Sequence, residues 1–362
     1  MSDIDARAGA RPLLEACNLT KRFPVGALGG ARQVHAVSDV SFSVDRGRLL
    51  ALVGESGSGK TTTLRMLGRL VGASSGRILL DGIDVLETER ARASLAFRKR
   101  VQVIFQDPFS SLNPARTIGH HLERPLLIHG IAKTKEELRE GVRALLETVE
   151  LRPADEMAAR FPHQLSGGQR QRVAIARALA ARPELILADE PISMLDVSIR
   201  MGVLNLIERL KKEKGIAFVY VTHDLASARY VGDDIMVMYA GRIVEGGPCE
   251  TVLASAAHPY TRILIAAAPD PRKLSAIGAA AAVGAQAARD EGTRAASADA
   301  RRVEPPSLID PPAGCPFADR CPEAAGICAR SLPPAIALGG GHWARCFMYD
   351  GAPRFAGGGK AD

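Results

Sequence analysis

The stretch GESGSGKT, residues 54–61, limits what this chain can fold into more than any other. It fits the spacing G-x-x-x-x-G-K-[ST]. The apolar run LLALVG before it reads as a buried strand that ends in glycine, and KTTTLRMLGRL after it reads as a helix. Strand, glycine-rich loop and helix in that order make a cradle for phosphate. The glycines let the backbone wrap close, so that its N–H groups point at the anion, and the helix N-terminus adds a favourable dipole. The residues expected to line the cradle are Gly54, Glu55, Ser56, Gly57, Ser58, Gly59, Lys60, Thr61 and Thr62. Lys60 supplies a point charge to the outer phosphates, and the Thr61 hydroxyl is a ligand for Mg2+.

LILADE, residues 185–190, supplies the second half. Apolar residues build a strand, and acids stand at its end. Asp189 is placed to hold the Mg2+ shell. Glu190 follows, where a carboxylate polarises an attacking water.

Further strands are expected in HAVSDVSFSV, GRILLDG, VQVIF, IAFVYVTHD and DIMVMYAGRIVEGG. From about 116 to 181 the strand signals stop. TKEELREGVRALLETVEL carries apolar residues at helical spacing, and QRQRVAIARALAARP continues as helix up to Pro183. An α/β core with a helical insert accommodates both patterns.

LSGGQRQR, residues 165–172, adds a second helix opening suited to an anion, over a hundred residues after the first. Within one monomer it is redundant; it makes sense as a cover for a partner's nucleotide. With this motif the chain resembles the ATP-binding subunits of ABC transporters over nearly its whole length. The resemblance implies an α/β P-loop nucleotide-binding domain of the ABC type over 12–270, with a helical subdomain at about 107–181. It implies that Phe23 stacks on adenine. Gln106 would sense Mg2+ and the membrane partner, and His223 would contact the γ-phosphate. Ser166, Gly167, Gly168 and Gln169 would act in trans, and Asp196 would lie in a loop crossing the dimer interface. Glu190, His223 and Gln106 form the expected catalytic set; Thr61, Gln106 and Asp189 form the expected Mg2+ set. Ile192 and Met194, where the family often has other residues, are both expected at the dimer interface.

QVIFQDPFSSLNPARTI, HPYTRILIAAAPDP and a cysteine-bearing tail resemble importers of the oligopeptide, dipeptide and nickel class. The resemblance implies an ATPase that powers solute import. Its implied partners are a second ATPase subunit, two membrane permease subunits and an extracytoplasmic solute-binding protein. SMLDVSIR and HDLASARY look closer to an oligosaccharide branch, so the solute stays open, as does homo- against heterodimer. A soluble ABC-type ATPase without membrane partners is the rival, disfavoured by the single phosphate loop and single signature.

Residues 271–303 are biased to Ala and Arg and read as a linker. The segment 304–350 reads as a small Cys-rich C-terminal extension. It holds Cys315, Cys321, Cys328 and Cys346, spaced C-x5-C-x6-C-x17-C; the chain has six cysteines in all. Four thiolates suit an Fe–S cluster or zinc. Short C-x2–4-C knuckles are usual for zinc, whereas His342 offers it a nitrogen ligand. Some importer ATPases of this class carry a [4Fe–4S] cluster at such a motif, so the resemblance favours the cluster; a staple role, against the partner ATPase, is expected. Free thiols remain the third reading.

The sequence has no apolar stretch of membrane-span length and no signal-peptide core, so a cytoplasmic position at the membrane's inner face is expected. Net charge is +7, which suits an anionic partner. Arg320, Arg330 and Arg345 with Phe317, Trp343 and Phe347 are too sparse for a nucleic-acid surface, and none is expected.

Overall fold

The computed structural model describes residues 11–25, 32–89, 93–107, 111–267 and 306–351. The expected linker at 271–303 lies outside them.

The chain opens with two long strands, β1 (Leu14–Pro24) and β2 (Gln33–Val44), which pair antiparallel. β3 (Leu49–Val53) leads through the glycine-rich loop into α1 (Lys60–Leu67). β4 (Ser75–Leu80) then joins β1, and the two-residue β5 (Ile83–Asp84) pairs with β4. Two short helices, α2 (Val85–Thr88) and α3 (Leu95–Arg100), lead to β6 (Val101–Ile104).

Four helices follow: α4 (Ile118–Ile128), α5 (Lys135–Thr148), α6 (Ala154–Ala159) and α7 (Gly167–Leu179). α5 starts where a capping box allows it. The Thr134 hydroxyl accepts from the Glu137 N–H at 3.1 Å, and the Glu137 carboxylate accepts from the Thr134 N–H at 3.2 Å. Leu122, Leu126, Val142 and Leu146 recur at helical spacing and are buried together.

The chain then alternates through β7 (Leu185–Asp189), α8 (Val197–Lys214), β8 (Ala217–Thr222), α9 (Leu225–Val231) and β9 (Asp234–Tyr239). β10 (Arg242–Pro248), α10 (Cys249–Ala254) and α11 (Pro259–Ala267) complete that part. The tail adds β11 (Ile336–Gly339) and β12 (His342–Ala344).

One sheet has the order β2-β1-β4-β5 and is antiparallel. The other has the order β11-β12-β10-β9-β3-β8-β7-β6. Its strands β9, β3, β8, β7 and β6 run parallel. β3 shows why such a strand is apolar throughout. Leu50 and Leu52 face the core shared with the first sheet and α1, while Leu49, Ala51 and Val53 face the helical side.

The cysteine-bearing tail is joined to the cassette. β12 pairs antiparallel with β10, Glu245 opposite Ala344 and Gly246 opposite Trp343. Buried Glu245 accepts from the His342 ring at 2.7 Å and from the N–H groups of Ala257 and His258 at 2.7 and 2.9 Å. Phe317 is buried in the main core, a gain of roughly 1.5–3 kcal/mol for such a side chain.

Candidate nucleotide site

Four parallel strands deliver the site at their C-terminal ends, where open α/β sheets bind ligands. β3 delivers the loop 54–61, β8 delivers His223, β7 delivers Asp189 and Glu190, and β6 delivers Gln106.

Gly59 caps α1 with φ 103°, a left-handed conformation open to glycine. A Cβ there would stand 2.4 Å from the Ala36 carbonyl oxygen. The Gly241 N–H donates to the Ser58 carbonyl at 2.9 Å, tying the loop to the β9–β10 turn. Lys60 is buried, and its ammonium donates to the carbonyls of Gly54 and Glu55, both at 2.8 Å. Burial lowers its pKa, and Glu190, Asp189 and Glu55 oppose that. Ser58 is buried, Thr61 and Thr62 are half-buried at the start of α1, and Ser56 and Gly57 are exposed. A Cβ on Gly57 would meet nothing within 4 Å.

The Thr61 hydroxyl donates to Asp189 at 3.0 Å. Burial raises the Asp189 carboxyl pKa, partly opposed by that bond. Glu190 sits in a left-handed backbone with φ 44°, which costs about 1–2 kcal/mol for a non-glycine residue. Three hydrogen bonds hold it there. Its N–H donates to the Val221 carbonyl at 2.9 Å, and its carbonyl accepts from the Ser193 N–H at 3.2 Å and hydroxyl at 3.0 Å. The turn aims the carboxylate between two groups: Gln106 Nε2 donates to it at 3.0 Å, and His223 Nδ1 lies 3.2 Å away. The structure thus brings Glu190, His223 and Gln106 together. Thr61 and Asp189, hard oxygen donors beside a buried ammonium, suit Mg2+.

Phe23, 37 % exposed near the end of β1, presents a ring with Lys21 Nζ 4.8 Å from its centroid. The signature lies elsewhere. Ser166 caps α7 in a reciprocal box with Gln169, with bonds of 3.3 and 3.0 Å. Ser166 is exposed, and α7 packs on β6, three strand positions from β3. At strand spacing that is about 14 Å of sheet. Gly168 is needed for packing: a Cβ there would come 2.3 Å from Ile199 Cγ2 on α8. Asp196 is exposed at the start of α8, and Met194 is 56 % exposed. Ile192, expected at a dimer surface with Met194, is instead buried in the core, so its side chain faces inward.

Sequence reasoning missed three residues at the loop. The Glu55 N–H donates to the Tyr260 hydroxyl at 2.9 Å, and Arg320 pairs with the Glu55 carboxylate and with Tyr239. The triplet HPY and a lone arginine before Cys321 were visible, but nothing local says what they touch.

The match to the family described as ABC transporter covers residues 37–193. The oligopeptide/dipeptide transporter C-terminal region matches over 244–295 and 285–328. A probable peptide ABC transporter ATP-binding protein of Sinorhizobium fredii is 41% identical over 339 residues, covering 93% of this chain and 90% of its own. The dipeptide transport ATP-binding protein DppF of Haemophilus influenzae is 40% identical, covering 94% and 97%. Among solved structures, the dimeric MJ0796 cassette in a post-hydrolysis state with ADP and Pi is 32% identical with a TM-score of 0.57, covering 65% of this chain and 98% of that one. The cbiO1 subunit from Clostridium perfringens is 26% identical with a TM-score of 0.58, covering 68% and 92%. The fold and the site define an ATP-hydrolysing cassette. The chain belongs to the ATP-binding proteins of ABC transporters, in the oligopeptide/dipeptide class.

Among the described residues no three or more His, Cys, Asp or Glu side chains are gathered so as to hold a metal ion. All six cysteines are free. His342, considered as a zinc ligand, is buried and engaged by Glu245. Among the described residues no helix is long and apolar enough to cross a membrane.

Proposed function

We propose that this chain powers import of peptides through membrane permease subunits, working from the cytoplasmic face as a peripheral subunit. The match of its C-terminal region to the oligopeptide/dipeptide transporter family supports peptides over oligosaccharides. An extracytoplasmic binding protein would present the solute. Beside Gln102 on β6 lies a hollow of about 360 Å3 whose lining includes Arg116, Arg124 and Arg177 as well as Pro125 and Ile128. A cytoplasmic permease segment bearing carboxylates would complement it.

Two cassettes would close head to tail, each covering the other's phosphate loop with its signature. The carrying observation is the separation within one chain: the loop follows β3, while exposed Ser166 opens a helix at the far edge of the sheet. Glu190, held by Gln106 and His223, would accept a proton from the attacking water. Lys60 would bind the outer phosphates, and Thr61 and Asp189 would hold Mg2+, which when bound neutralises charge developing on the phosphates. Mixing Lys60→Ala with Ser166→Ala chains tests the arrangement, because one of the two composite sites then carries both lesions. Phosphate release above either variant alone is expected for a homodimer. If the mixture stays silent, either a second cassette is compulsory or the two sites are strictly coupled, and co-expression with a second cassette separates those two.

For the tail, we propose that Cys315, Cys321, Cys328 and Cys346 hold a [4Fe–4S] cluster as a structural cross-link. Burial pushes the Cys315 and Cys321 thiols up to about 11, and nearby thiols add to the shift in both. The Cys315 N–H donates to the Cys328 carbonyl at 2.7 Å. Protein purified without oxygen should contain about four irons and absorb broadly in the visible; Cys321→Ser should bleach it. Colourless anaerobic protein containing zinc would contradict the cluster.

A further inference from the structure

The tail reaches the phosphate loop of its own chain. Arg320 Nη1 and Nη2 donate to the two Glu55 carboxylate oxygens at 2.9 and 3.1 Å, a fork on a fork. Nη1 also donates to the Tyr239 hydroxyl at 3.2 Å. The guanidinium lies over two rings, 5.6 Å from the centre of Tyr239 and 5.7 Å from that of Phe317. Those two rings meet edge to face at 5.2 Å, and Tyr260 packs tilted against both at 4.5 and 5.5 Å. The Arg320 side chain is only 12 % exposed. A partly buried, bidentate pair seated on a packed aromatic platform is held far better than a surface ion pair.

The partner at the other end matters more. Glu55 is the second residue of the loop 54–61, and its carbonyl accepts from the Lys60 ammonium at 2.8 Å. Its N–H donates to Tyr260. Its side chain, its N–H and its carbonyl are therefore tied to the tail, to α11 and to the phosphate-binding lysine respectively. Rotation of Glu55 would move the acceptor that aims Lys60.

We propose that Arg320 is a positioning residue of the nucleotide site: it fixes Glu55, and through Glu55 the loop and Lys60, so that the C-terminal segment is a working part of the ATP site. Arg320 closes the short turn Ala318–Arg320, whose first N–H donates to the Cys315 carbonyl at 3.0 Å and whose Ala318 carbonyl accepts from the Cys321 N–H at 3.2 Å. The conformation of the cysteine-bearing loop is thereby transmitted to the phosphates over a few bonds.

Steady-state ATP hydrolysis, equilibrium binding of a fluorescent ATP analogue and Tm are measured on full-length Arg320→Gln, Arg320→Lys, Glu55→Gln and the double variant Arg320→Gln/Glu55→Gln. Arg320→Gln should raise KM and weaken analogue binding about tenfold, in line with loss of a charged hydrogen-bonded pair, with kcat within about twofold. Arg320→Lys should recover part of that loss. Glu55→Gln should weaken binding to a similar degree, and the double variant should be no worse than either single one. An unchanged KM in Arg320→Gln overturns the proposal. So do additive losses in the double variant. Tighter binding in Glu55→Gln also overturns it, because that is the sign expected if Arg320 acted on the phosphates directly. A loss that tracks a fallen Tm in every variant, with no rescue by Lys, assigns the pair to packing alone and overturns it as well.

Discussion

Asp189 shows how a single residue can be placed for ligand at the expense of the empty fold. Burial raises its pKa above the ordinary carboxylate value. The sign follows: a raised pKa means that protonation favours the folded form, that this contribution is present at low pH, and that it is lost as pH rises through the raised value. At neutral pH the nucleotide-free protein therefore carries a charge it would rather neutralise. Asp189→Asn keeps an acceptor for the Thr61 hydroxyl and removes that charge. Scanning fluorimetry without nucleotide should show a higher Tm for Asp189→Asn at neutral pH, with the difference shrinking on acidification, while Mg2+-dependent ATP affinity falls. A lower Tm with intact Mg2+-dependent binding would mean that the carboxylate is structural. Asp189 and Glu190 were both legible in LILADE only together with the loop 54–61, because acids at the end of a strand are by themselves a common pattern. The left-handed turn at Glu190, which aims its carboxylate between Gln106 and His223, was not. Backbone strain of that kind depends on the hydrogen bond to the Val221 carbonyl and those from Ser193, which are fixed only in three dimensions.

At the scale of elements, α7 and α8 are pressed together at Gly168. The signature opens α7 and Asp196 opens α8, so this contact sets the distance between two groups expected at a shared interface. Gly168→Ala places a methyl 2.3 Å from Ile199 Cγ2. Overpacking of that kind typically costs 1–3 kcal/mol, to be read by denaturant unfolding. Ile199→Ala alone should be milder, and the pair should be less destabilised than the sum. Additive losses would mean that the two helices part without consequence. The strand–loop–helix around Lys60 and the helices α5 and α7 follow from apolar periodicity, so they were legible, whereas α4 and α6 lay in a stretch read only as free of strand signals. The end of α7 was placed too late. The helix stops at Leu179, and Arg182 takes φ 55°, ahead of Pro183 rather than because of it. β11 and β12 went unread, since strands of four and three residues carry almost no period of their own and exist by pairing with β10.

The whole molecule is a glycine-rich loop, a carboxylate pair at the end of β7 and the opening of α7 placed around one sheet, with the tail folded back onto the loop. The tail's cysteines were visible in the sequence, but the docking of the tail on the chain's own cassette, through β12, Phe317 and Arg320, was not. Long-range contacts of this kind leave no trace in local spacing. The central claim is that the site at the ends of β3, β6, β7 and β8 hydrolyses ATP, with Glu190 as the base. Phosphate release by Glu190→Gln, in the assembled transporter and alongside equilibrium ATP binding, tests it most directly. Glu190→Gln keeps the shape and the hydrogen bond to Gln106 but removes the base. The account predicts turnover lower by on the order of 100-fold or more, ATP affinity retained, and an ATP-bound dimer that persists on size exclusion with Mg2+. Hydrolysis by Glu190→Gln at close to the wild-type rate would contradict it.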